Sequence, residues 1–214
     1  VVDANKRVYF LKFDPATNPE MATAADAIVA RVFHALGYHV PDNYVVHFDE
    51  SRLALGQGVT LADELGHKRK MTRRDLLEVL LPVPRDSRGR IRAIASRAVD
   101  GKPLGPFRYH GLRKDDPNDV VPHERRRELR GLRVFSAWLN HEDSRAVNTL
   151  DALVQAGGNR YIRHYLIDFG STLGSASTKA NPPRSGHEYL FHWQTAARHL
   201  FTLGEPTAAT LLTV

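Results

Sequence analysis

Cysteine is absent from the 214 residues, which excludes disulfides, thiolate metal sites and cysteine nucleophiles together. A cysteine-free chain is tolerated in any redox environment, so the compartment stays open. No run approaches about 18 apolar residues, so no membrane-spanning helix and no membrane partner are expected. There are no internal repeats, and neither a basic n-region nor an apolar h-region opens the chain. It begins on Val1 and Val2 rather than on Met, which reads as a piece of something longer. Hydrophobic residues at 42% and charged residues at 25% are ordinary globular usage, which excludes disordered, collagen-like and low-complexity classes.

What is abundant is arginine. Basic residues number 30 against 24 acidic, a formal charge of +6, and 23 of the 30 are Arg. The planar guanidinium suits phosphate and carboxylate, so an anionic partner is worth weighing against an arginine-preferring genome. Two clusters stand out: His67-Lys68-Arg69-Lys70 with Arg73-Arg74, and Arg125-Arg126-Arg127 with Arg130 and Arg133. Glu124 and Glu128 interleave the second, as i,i+4 pairing on a solvated helix face requires. Neither cluster has aromatic interleaving or a nucleic-acid motif beside it, so an Arg-rich nucleic-acid module is the disfavoured reading.

The pattern along the chain predicts a strand over 7–13, then a helix capped by Asn18 with Pro19 at its first position. That helix runs to Leu36, with Met21, Ala25, Ile28, Val32 and Leu36 as its apolar stripe and Gly37 as its stop. Strands are expected at 44–48, 53–55 and 91–99, and a short helix at 73–81. Residues 103–122, rich in Pro, Gly and Asp, read as a long ordered loop. A helix over 123–139, a hairpin of strands 149–154 and 161–167 about Gly157-Gly158, and a helix over 189–203 follow. The expected fold is α+β in two lobes: residues 1–101, strand-rich with one long helix, and residues 102–214, mostly helical.

Three stretches carry chemistry. Lys12 lies in a strand that is apolar on both faces, which places it either at an edge, reaching outward, or facing a cleft that holds an anion. Asp143 and Asn148 stand five apart in the loop after the long helix, and both offer hard oxygen donors. Asp168 ends an apolar strand, where a carboxylate needs a partner, and Phe169-Gly170 follows it. For any one of these Asp residues alone, a turn or helix cap is the default reading. Elsewhere, His187-Glu188 with His192 misses zinc-protease spacing, and Asp115-Asp116-Pro117-Asn118-Asp119 reads as an Asx turn rather than a calcium loop. Ser171 and Ser175 lack a His-Asp arrangement that would make them nucleophiles.

Taken in order, the strand Lys, the helix, the Asp-x4-Asn loop, the hairpin and Asp-Phe-Gly resemble the protein-kinase fold. Asn140 to Asn148 is similar to its catalytic loop. Leu36 to Asp42, Phe135 to Leu139 and the Gly157-Gly158 hairpin resemble HipA-like serine/threonine kinases and a related group of uncharacterised bacterial kinase-like proteins. The resemblance covers residues 8–175.

It implies a phosphotransferase that moves the ATP γ-phosphate to a hydroxyl, Ser or Thr of a protein, with ATP and Mg2+ as cofactors. Lys12 would hold the α/β-phosphates and Glu20 would hold Lys12, although Glu20 also suits the helix dipole. Asp143 would orient or deprotonate the acceptor, Arg145 would steady the phosphoryl group, and Asn148 and Asp168 would bind the metal. Glu142 stands where most protein kinases have Arg, so control through activation-loop phosphorylation is not expected. No Gly-rich loop precedes Lys12; Gly56-Gln57-Gly58 comes after it and reads as a turn. The expectation is therefore a catalytic core missing its front edge, with poor nucleotide binding as it stands. Alternatives remain: a pseudokinase or nucleotide-binding regulator, and a kinase acting on a small molecule.

Overall fold

The computed structural model describes residues 1–62, 66–182 and 185. Within them the chain is mixed α and β, with small antiparallel sheets and three α-helices. Their order is β1 (Tyr9–Lys12), α1 (Met21–Ala35), β2 (Asn43–Phe48), β3 (Thr60–Ala62), β4 (Lys68–Lys70), α2 (Arg73–Leu80) and β5 (Ile91–Arg97). Then come β6 (Lys102–Gly105), α3 (Arg127–Trp138), β7 (Thr149–Ala156) and β8 (Asn159–Leu166). Val1–Asn181 form one compact unit and Pro182–Val214 a second. The helix expected over 189–203 lies outside the described residues, as do His187, Glu188 and His192.

β5 takes the centre of the first sheet, in the order β1-β5-β2, because it is the strand with apolar residues on both faces. Ile91, Ala93, Ile94 and Ala95 are all buried there. A second pair, β3-β4, is short, and the third sheet runs β6-β7-β8. Gly157 and Gly158 close the β7–β8 hairpin with φ of 57° and 82°, the left-handed pair that a two-residue turn demands. The first sheet uses only residues before 101 and the third only residues after it. Gly101 joins them at φ +99°, and a Cβ there would lie 2.5 Å from the Leu153 carbonyl oxygen, so the junction has room for glycine alone.

The core nearest the chemistry-bearing stretches is one cluster: Val29, Ala30 and Phe33 of α1, Leu132 and Leu139 of and after α3, and Phe169. The buried face of α1 is Ala22, Thr23, Ala25, Asp26, Val29, Ala30 and Phe33. That is rotated from the expected stripe, since Ile28 and Leu36 are exposed. The expected cap also differs. Glu20, not Asn18, precedes the helix, and it makes no side-chain cap bond. Asp14 does that work from outside, accepting from the Thr23 amide (2.9 Å) and hydroxyl (2.6 Å). Arg92 of β5 neutralises it at 3.2 Å, so helix and sheet are tied by one buried carboxylate.

Other differences are local. Residues 53–55 form no strand; a 3-10 turn, Glu50–Arg52, stands before them instead. β6 lies in the stretch read as loop, and pairs with β7 despite its Pro and Gly because it is an edge strand with a register shift. α3 starts at Arg127, after a 3-10 turn at His123–Arg125. The basic clusters are partly neutralised: Arg69 pairs with Asp75 at 2.6 Å and Arg74 with Glu78 at 2.9 Å. Arg126 pairs with Asp119 rather than with a helix glutamate. No helix among the described residues is long and apolar enough to cross a membrane.

Candidate active site

β1 ends on Lys12, on the strand face that also carries Val8 and Phe10. The strand is an edge strand, yet the ammonium turns inward. Lys12 Nζ donates to Asp26 Oδ2 of α1 at 2.8 Å and to Asp168 Oδ1 at 2.9 Å. Three separated parts of the chain therefore meet on one cation. Asp26 is only 1% exposed, and its Oδ1 accepts from the Asn43 amide of β2 at 2.6 Å. The Phe169 backbone N–H also reaches it.

Burial pulls the Lys12 pKa down, but the Asp26 and Asp168 charges outweigh it and hold the group above its usual value of 10.5. For Asp26 burial is the larger effect: it lifts the carboxyl above 3.8 against the pull of Lys12, and the Asp168 charge adds to the rise. Lys12 is thus a fixed cation, held between a buried acid and an open one, Asp168 being 45% exposed.

The loop after α3 builds the second half. Asn140, at φ 50°, turns the chain out of the helix, and the His141 amide bonds back to the Ser136 carbonyl at 2.8 Å. The His141 ring then lies 5.8 Å from Phe169, which itself stacks on Phe33 of α1 at 5.3 Å. Burial drops the His141 pKa, so the ring is neutral at pH 7. The Asp143 and Asp168 charges both act on it in the opposite direction, without overcoming burial.

Asn148 locks the loop: its Nδ2 donates to the Asp143 carbonyl at 2.8 Å, and its own carbonyl accepts from the Ile167 amide at 3.0 Å. Asp143, Asn148 and Asp168 are brought together by these two bonds. Asp143 is paired with the Arg145 guanidinium. Burial raises the Asp143 carboxyl, but Arg145 and Asn148 more than offset it, leaving the pKa below 3.8.

Asp168 has φ 64°, an uncommon backbone for a non-glycine residue, and Thr172 then bonds the Phe169 carbonyl at 2.6 Å. The Leu173 amide reaches Leu139 at 2.8 Å, and the Asn181 side chain donates to Glu142 at 2.8 Å. The segment after Asp-Phe-Gly is thereby fastened to the Asp143 loop by uncharged donors.

The donor set fits a divalent cation such as Mg2+. The Asn148 amide nitrogen is committed to Asp143, which leaves Oδ1 as a free acceptor; Asp168 Oδ2 is likewise outside the Lys12 bond. Asp116, by contrast, accepts from the Asn118 amide at 3.0 Å, the expected Asx turn. Among the described residues no three or more His, Asp or Glu side chains cluster as a metal site, so a cation here would rest on Asp168 with the Asn148 amide.

Five of the six expected site residues fall here: Lys12, Asp143, Arg145, Asn148 and Asp168. The sixth does not. Glu20 is exposed at the start of α1, and the partner of Lys12 is Asp26, one and a half turns further on. Asp26, Asn43, His141 and Phe33 are site residues that the motifs passed over; an acid on the apolar face of a helix was the available signal for Asp26. No family model, no curated protein and no solved structure matches the chain.

Proposed function

We propose that this chain is a kinase-like phosphotransferase, a small strand-rich lobe and a mostly helical one, that moves the γ-phosphate of ATP to a Ser or Thr hydroxyl of a protein. The observation that carries the reading is the Lys12 ammonium bonded at once to Asp26 and Asp168, with the Asp143–Asn148 loop tied beside Asp168. Phosphoryl transfer asks mainly for positioning and neutralisation of charge, and these residues supply both.

Lys12 meets the nontransferred phosphates and is kept charged and aimed by Asp26. Asn148 and Asp168 would hold the metal, which would supply neutralisation of the phosphate charge. Asp143 accepts a hydrogen bond from the acceptor hydroxyl and aligns it; its low pKa suits an orienting base better than a strong one. Arg145, 59% exposed, swings from Asp143 toward the phosphoryl oxygens.

The test is transfer of labelled γ-phosphate, expected in the wild type and lost in Asp143→Ala. Retained transfer in that variant overturns the role of Asp143. Stabilisation by ATP with Mg2+, absent in Asp168→Asn, checks the metal pair separately. One observation favours a second reading, a nucleotide-binding regulator without transfer: the Asp143 carboxylate is already occupied by Arg145. ATP binding without transfer, in wild type and in Arg145→Ala alike, selects it.

A further inference from the structure

Beside the Asp143 loop lies a cavity of about 420 Å³ that the proposed chemistry does not use. Ala146, between Asp143 and Asn148, forms part of its wall. Leu104 of β6 and Asp151 of β7 contribute, and the rest comes from the stretch after β6, which is fastened to the loop side at two points. The Phe107 amide donates to the Thr149 hydroxyl at 2.7 Å, and the Tyr109 hydroxyl bonds Ser144, the neighbour of Asp143. Its floor is rigid: Phe107 is 5% exposed and stacks on buried His123 at 4.4 Å.

The charges in this wall are unequal. Asp151 and Asp115 both face Arg113, at 2.7 and 2.9 Å, so Arg113 is fully answered and the three groups together keep one negative charge. His164 adds a further bond to Asp151. Arg108 and Lys114 remain, both exposed, and neither side chain has an ion pair among the described residues. Two exposed cations without an ion-pair partner thus leave a net positive charge on the wall of a cavity that lies three residues from the acceptor-orienting carboxylate.

Resting on the kinase-like reading, we infer that this cavity is the acceptor subsite and that its occupant is an acidic peptide segment, a Ser or Thr flanked by Asp or Glu. Carboxylates beside the acceptor answer Arg108 and Lys114, while a basic segment meets like charge. The site draws the peptide electrostatically, so the preference weakens as salt rises.

The experiment uses the full chain and three dye-labelled peptides of one length around a single Ser: acidic, neutral and basic flanks. Binding is read by anisotropy without nucleotide. The acidic peptide is expected to bind about tenfold tighter than the neutral one at low salt, from two exposed charge pairs. Arg108→Glu with Lys114→Glu removes that preference and turns it toward the basic peptide, with the melting temperature unchanged. Equal binding of the three peptides, or an acidic preference that survives the double reversal, overturns the inference. So does displacement only by a phosphorylated small alcohol and not by any peptide. A transfer assay on the same peptides separates the two proposals. Acidic preference in binding with no transfer leaves the subsite and removes the kinase; transfer to all three peptides equally leaves the kinase and removes the subsite.

Discussion

Removing the Asp26 carboxylate tests the centre of the site. In Asp26→Ala, Lys12 loses its buried partner and Asn43 loses the acceptor of its amide, whose Oδ1 already lacks a hydrogen-bond partner. Breaking a fully buried pair costs about 3–5 kcal/mol. Lys12 is 35% exposed and keeps Asp168, so its share is discounted to about 1–2 kcal/mol for screening. The orphaned Asn43 amide adds about 1 kcal/mol. The sum, about 2–3 kcal/mol, lowers the melting temperature by about 5–10 °C in a unit of this size.

The assay is denaturant unfolding of wild type, Asp26→Ala, Asp26→Asn and Glu20→Ala side by side. Asp26→Asn keeps the shape and should recover part of the loss. Glu20→Ala, exposed and without a cap bond, should stay within about 0.5 kcal/mol of wild type. Equal losses for Glu20→Ala and Asp26→Ala would refute the pairing, as would an Asp26→Ala variant as stable as wild type.

Phe169→Ala should lose about 3–5 kcal/mol in the same assay, because a ring with no exposure is removed from its stack on Phe33; Phe169→Leu should lose much less. Gly101→Ala should cost more than Gly157→Ala, since both have positive φ but only the first meets backbone, and equal costs would remove the argument for the junction. Asp75 is held far below its usual 3.8 by Arg69 and by Thr72, so the stability it contributes is present above 3.8 and is lost as pH falls through its folded-state value. Asp75→Asn should therefore unfold more easily at pH 7 yet show a flatter acid limb below about pH 4, read from melting temperature against pH. Finally, if the proposed function holds, phosphate on Lys12 and metal on Asp168 meet across the one Lys12–Asp168 bond, so ATP and Mg2+ together should stabilise the protein by more than the sum of each alone.

The elements with strong periodicity were legible in the sequence. β2, β5, α2 and the β7–β8 hairpin lie where their alternation, capping and Gly-Gly turn place them. β3, β4 and β6 were not, because three and four residues are too few to show a period, β4 and β6 carry Lys, Arg, Pro and Gly besides, and only pairing defines them. The helix cap is hidden from the sequence for a related reason: Asn18-Pro19 is a good local start, but Asp14, four residues earlier, reaches Thr23 through tertiary folding, which no local rule sees.

The site divides along the same line. Asp143, Asn148 and Asp168 were legible because loop and strand ends hold function by spacing, and spacing survives in a sequence. The partner of Lys12 was not, because it depends on the phase of a helix. At about 100° per residue, a stripe centred on Ile28 and Val32 turns Asp26 about 140° away from the core. Centring it on Ala22, Val29 and Phe33 brings Asp26 within about 40° of the middle and leaves Glu20 on the far side. Alanine is what hid the phase. Seven of the fifteen residues of α1 are Ala or Thr, small enough to read as buried or exposed, so two stripes fitted almost equally well. The charged residue decides between them: an acid costs too much to bury unless a cation waits for it, and only the second phase puts Asp26 against Lys12. A buried carboxylate is thus a phase marker, and it fixes the helix rotation that the apolar residues alone leave open.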